Sequence, residues 1–257
     1  MLLLPLLLSI APALTPSPAA DKKDVRKQYV ELAGKKDKDA IVALWKANPG
    51  LVLQVIDQDL EGSLRDMEKG EAADSAKVKE KQQRALFGAE CAAIATGHPI
   101  VVDYASSFVG WNAEQKRQFR DGQKVCGASG EALAKGDKAT ALAKGKECIE
   151  RASALGDWWG TAMGYDAVGR AAQAMGGIDD ALTALTHARL INHDLGLSGD
   201  EYQELVVLTD LCIAAERWQR ALAFARDAQV LAKTLGEADG EKALAAKEAT
   251  VRAKLGG

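Results

Sequence analysis

Apolar side chains recur every three or four positions along most of this chain, the spacing that predicts amphipathic helices. In 217–236, Trp218, Ala221, Leu222, Ala225, Ala228 and Leu231 share one stripe. From residue 117 the chain divides into seven twenty-residue units ending at Gly136, Gly156, Gly176, Gly196, Glu216, Gly236 and Gly256, with Glu216 the exception. Leu-Gly recurs at 155–156, 195–196 and 235–236, a period of 40. A glycine just past the last apolar position adopts the left-handed conformation cheaply and ends a helix. Ser198 before Glu201 and Asn112 before Gln115 read as capping boxes. Each unit is therefore a helix of about four turns plus a short turn. Consecutive units are expected to be antiparallel, and the doubled period predicts helix pairs stacked in register as an α-solenoid.

Residues 21–110 lack this metre. Helices are expected near 22–33, 38–47, 51–69, 72–96 and 100–109, separated at Asn48-Pro49-Gly50 and Gly97-His98-Pro99. Trp45 reads as a core anchor. The charged run Lys77–Arg84 is a basic docking face or a solvated helix surface, and the near-equality of acidic and basic residues across 21–84 favours the second. The expected organisation is an apolar leader over 1–20, a helical region over 21–110, and helical repeats over 111–257 that finish in a capping helix.

The repeat residues resemble the tetratricopeptide repeat family in its 40-residue variety. Tyr165, Val168 and Gly169 occupy the family's helix A positions, with Ala172 where an aromatic is usual. Gly176-Gly177-Ile178-Asp179-Asp180-Ala181 resembles the inter-helix turn, and Leu185 and Ala188 match packing positions of helix B. The next repeat keeps Leu205, Leu208, Trp218, Ala221 and Ala228 but has Thr209 and Glu216 in place of glycine. The preceding one keeps Val125, Gly136, Ala141 and Cys148 but departs at Gly145, where a large side chain belongs. The resemblance covers about 117–256 and implies an all-α, right-handed solenoid of antiparallel helix pairs that binds proteins or peptides on its concave face. The overall order is also similar to the helical N-terminal regions of bacterial CHAT-domain proteins, without their protease domain.

Composition narrows the function. The formal net charge is −3, with 33 Lys+Arg against 36 Asp+Glu, so no basic surplus points to nucleic acid. Met1–Ala20 is uncharged and apolar over Leu2–Ile10, too short to span a bilayer but suited to a secretory leader, with Ala11-Pro12-Ala13 or Ser17-Pro18-Ala19 as cleavage patterns. No Lys or Arg precedes the apolar run. Export to a bacterial periplasm or the exterior is expected, with no integral span in the mature chain. His98, His187 and His193 are wrongly spaced for a metal, and phosphate-loop and nucleophile-elbow motifs are missing. No catalytic residue, cofactor or metal is expected. Cys126 and Cys148 lie at similar distances on either side of Gly136-Asp137, so a disulfide or two packed thiols fit the spacing.

The expected function is an exported scaffold for a protein or peptide partner. Positions transferred from the family's concave face are Met163, Asp166, Arg170, Gln173, Gln203, Val206 and Asp210. The family's basic carboxylate clamp is missing, since Asp166 and Val206 stand where Lys is expected. Arg170 then pairs either with a partner's acid or with Asp166 at i,i+4 spacing. Trp158 and Trp159 point about 100° apart on a helix, so at least one is a candidate contact. The alternative class is a structural envelope component that self-associates, and an enzyme is the least favoured reading.

Overall fold

The computed structural model describes residues 21–256; the expected leader, Met1–Ala20, lies outside the described residues. The described residues form α1 (Lys22–Gly34), α2 (Lys38–Ala47), α3 (Val52–Glu68), α4 (Ala76–Thr96), α5 (Ile100–Gly110), α6 (Ala113–Ala134), α7 (Lys138–Leu155), α8 (Trp158–Ala174), α9 (Ile178–Asp194), α10 (Ser198–Ala214), α11 (Trp218–Leu235) and α12 (Ala238–Lys254). A single 3₁₀ turn, Pro49–Leu51, joins α2 to α3. The fold is all-helical among these residues, and each helix from α6 to α12 packs on the next. No described helix is long and apolar enough to cross a membrane.

The twenty-residue metre is a repeated backbone turn. The N–H groups of Asp137, Asp157 and Gly177 donate to the carbonyls of Ala132, Ala152 and Ala172 at 2.9 Å. Those of Leu197, Arg217 and Glu237 donate to Asn192, Cys212 and Ala232 at 2.8 Å. This bond spans the helix end and satisfies carbonyls that have no partner within the helix. Glu216 enters the same left-handed region at φ 56°, so the missing glycine leaves the turn intact at the expense of local strain. The turn also closes α1, where Asp37 N–H donates to the Leu32 carbonyl at 3.0 Å and Lys36 has φ 55°.

Helix starts follow local chemistry. Asp21, Asp37, Ser75, Asp137 and Asp157 accept backbone N–H groups, and Asn112 with Gln115 forms a complete capping box. The expectation for Ser198 is corrected: Leu197 occupies the cap position of α10 without a side-chain bond. Glu201 turns away to α9, lying 3.3 Å from Arg189 Nε and 3.1 Å from His193 Nδ1.

The N-terminal helices bury Tyr29, Ile41, Trp45, Leu53, Ile56 and Leu60 completely, and Trp45 Nε1–H donates to the Gly88 carbonyl at 3.0 Å. Asp59 is the polar centre. Its carboxylate receives Arg84 Nε at 2.8 Å and Nη2 at 2.6 Å, and both Nη groups of Arg26, tying α1, α3 and α4 together. The Lys77–Arg84 run is therefore not simply a solvated face. Lys77 and Lys81 reach Asp66 at 3.1 and 2.5 Å, and Arg84 reaches Asp59, because these residues recur at intervals of four and three on one side of α4.

This core continues into the repeats. Leu155, Leu195 and Leu197 are buried in it, and Trp111 Nε1–H donates to the Leu155 carbonyl at 2.8 Å. At the other end, α12 buries Leu244 and Val251 and presents mainly Ala, Lys and Glu outward. The departure at Gly145 has a steric cause: a Cβ there would lie 2.9 Å from Val168 Cγ2 and 3.1 Å from the Val168 backbone nitrogen. Gly145 thus lets α7 approach α8 closely. The sulfurs of Cys126 and Cys148 are bonded, with the Cα atoms 5.1 Å apart, linking α6 to α7.

Candidate functional site

Alternate helices frame the site. Cys126, Gly130 and Leu133 of α6, Trp159, Met163, Asp166 and Arg170 of α8, and Asp200, Gln203 and Glu204 of α10 border a hollow of about 500 Å³, with Asn192 contributed by α9. Trp159, Met163 and Cys126 also border an adjoining hollow of about 290 Å³ toward Asp57, Glu61 and Tyr104 of the N-terminal region. The two form one groove running along α8.

The structure brings together Met163, Asp166, Arg170, Gln203 and Trp159 of the expected contact set. Met163 is 51 % exposed, leaving its thioether available to a ligand. Trp159 is half-buried, while Trp158 points outward as their angular separation requires. Gln173, Val206 and Asp210 do not border the groove. Val206 packs beside Tyr202 and Leu205, Asp210 pairs with Lys247 at 2.5 Å, and Gln173 lies exposed near the end of α8. Arg170 takes the intrahelical option, its Nε donating to both Asp166 oxygens at 2.8 Å.

The residues that sequence reasoning missed are acidic. Glu204 is 2 % exposed; its Oε1 accepts from Asn192 Nδ2 at 2.8 Å, while Oε2 is buried without a hydrogen-bond partner among the described residues. Burial, reinforced by the Asp166 charge, pushes its carboxyl up to about 8. Asp157, buried at the start of α8, accepts from Gly160 N–H at 2.8 Å and is held up at about 6 by burial. Asp57 accepts the Tyr104 hydroxyl at 2.7 Å, yet burial raises it too to about 6. The sequence held a hint of Glu204, which shares a helical stripe with Leu208 and Leu211, but no local residue marks it as buried. A carboxyl in such a stripe needs a partner or a proton.

A larger hollow, about 690 Å³, lies between α3 and α6, but its chief cations are already engaged. Arg120 reaches Glu61 at 2.8 Å and Glu68 at 2.7 Å, and Lys116 Nζ donates to the Trp111 carbonyl at 2.7 Å. His187 stacks on Tyr165 with centroids 4.9 Å apart, whereas His98, 3.8 Å from Asp194, and His193, 3.1 Å from Glu201, border a separate hollow of about 460 Å³ with Arg189. No cluster of three or more His, Cys, Asp or Glu side chains is placed to hold a metal among the described residues. No family model matches the chain, and no curated protein sequence matches it.

Proposed function

We propose that the chain is an exported scaffold of tetratricopeptide type, a right-handed solenoid of antiparallel helix pairs that holds an extended segment of a partner protein. The observation carrying this reading is that the alternate helices α6, α8 and α10 line one groove, with Trp159 and Met163 on its wall. An aromatic ring and an adaptable thioether give a bound segment apolar contact. The Cys126–Cys148 bond fits an oxidising compartment, and the polar outer face of α12 fits a capping role over open-ended stacking. The scaffold carries out no chemistry itself.

A photo-crosslinking residue at Met163, with a control at the exposed Met175 outside the groove, tests the reading in the native host. The expected result is a discrete adduct with another protein at position 163 alone, mapped by mass spectrometry to one segment. Equal labelling at both positions overturns the groove, and an adduct only with a second copy makes self-assembly the better account.

A further inference from the structure

We propose that the segment held in this groove presents a cationic side chain, a lysine ammonium, to the free Oε2 of Glu204, and that binding expels the proton from that carboxyl. The inference rests on the groove reading and specifies the chemistry that it recognises.

The argument starts from the unfilled acceptor. Glu204 is almost fully buried, borders the groove, and has one oxygen with Asn192 and the other with none. Buried polar atoms are rarely left unpaired, because desolvation without compensation costs about 1–3 kcal/mol. A donor arriving from the groove would complete the arrangement. A neutral donor would satisfy the oxygen, but the surrounding charge selects a cation. Asp166 and Arg170 of α8 neutralise one another, and Asp200 stands exposed at the rim without an ion-pair partner among the described residues. The remaining wall from α6 supplies Cys126, Gly130 and Leu133, and α9 supplies Asn192, none carrying charge. With Glu204 ionised, it and Asp200 therefore leave this end of the groove two negative charges in excess, and the other end adds Asp57 and Asp157. The half-buried Trp159 and exposed Met163 suit the aliphatic stem that carries an ammonium.

The proton follows from linkage. Without ligand the Glu204 carboxyl sits near 8 and is mostly protonated at neutral pH. An ammonium at hydrogen-bond distance favours the ionised form, so the acid proton passes to solvent and the ammonium keeps its own. Affinity should therefore rise with pH up to about 8 and level off before the lysine amine, near 10.4, begins to deprotonate.

The test uses the full chain with ¹³C-labelled glutamate carboxyls and two probes, Nα-acetyl-lysine amide and its uncharged isostere Nα-acetyl-norleucine amide. With the lysine probe in excess, the Glu204 titration midpoint should fall by at least one unit, equivalent to about tenfold tighter binding to the ionised form. The norleucine probe should leave it unmoved. Calorimetry in two buffers of different ionisation enthalpy should show a proton released on lysine-probe binding at neutral pH. The Glu204→Gln variant, which keeps an acceptor for Asn192, should lose the pH dependence. Equal shifts with both probes, or no shift with either, overturn the cationic assignment. The groove reading would then still stand or fall on the Met163 crosslink.

Discussion

Replacing Glu204 by Gln removes a buried titrating group while keeping size and one oxygen, so it isolates a single proton equilibrium. In the unfolded chain a glutamate releases its proton near 4.5, whereas the folded Glu204 releases it near 8. Between those values the native state binds more protons than the unfolded state, and stability falls as pH rises. The stabilisation relative to an ionised carboxyl is complete below pH 4.5 and gone above 8. The glutamine has no such dependence. The stability difference should therefore move toward the glutamine by about 1.4 kcal/mol per pH unit across this window, a change of about 3 kcal/mol between pH 4.5 and pH 7. Asp57 and Asp157, held up by burial, titrate alike in both proteins and cancel in the comparison. Guanidinium unfolding at several pH values, followed by both tryptophan fluorescence and far-ultraviolet circular dichroism, measures the gap and detects piecewise unfolding of the repeats. A gap that stays constant from pH 5 to about pH 8 would refute the buried, protonated Glu204.

Glu216→Gly should stabilise the protein by about 0.5–1 kcal/mol, because it relieves an exposed left-handed residue and loses no ion pair, and calorimetry should show a raised Tm. Cys126→Ser, or reduction of the wild type, should lower stability by about 3 kcal/mol through loss of a cross-link between residues 22 apart, measured by denaturant unfolding with and without reductant. Equal midpoints in both conditions would remove the bond from the stability of the chain. Asp59→Asn should cost about 3–5 kcal/mol, since two arginines would face one another over a neutral amide, and hydrogen exchange should quicken first in α1, α3 and α4.

The helices were legible because their determinants are local: the apolar stripe, the Gly and Pro punctuation, and the Asn112–Gln115 box all act within a few residues. Lys36 hides the same turn that Gly136 advertises, since its backbone adopts the conformation without the residue that usually signals it. Ser198 misled for the opposite reason, as the Glu201 expected to complete its box is held instead by Arg189 and His193 of α9, across the turn. The groove was half legible. The positions transferred from the tetratricopeptide resemblance included Met163, Asp166, Arg170 and Gln203, which do border it, but Glu204 depended on a burial that only packing reveals. Val206 and Asp210 dropped out because Tyr202 and Lys247 lie beside them in space.

The period of 40 in Leu-Gly shows how one sequence signal can carry two structural meanings. Leu155, Leu195 and Leu235 occupy equivalent positions, and stacking alone would give them equivalent surroundings. Instead Leu155 and Leu195 are buried in the core of the N-terminal helices, while Leu235 is 40 % exposed. The close approach at Gly196 agrees, since a Cβ there would lie 3.1 Å from the Pro49 carbonyl oxygen. Two of the three turns are thus docking points for α1–α5, and the third lacks that cover. The docking also places Asp57 and Tyr104 at one end of the groove, where they meet Asp157 and Trp159. The N-terminal helices therefore complete the groove as well as covering the repeat turns, and substitutions in α3 or α5 alter its wall.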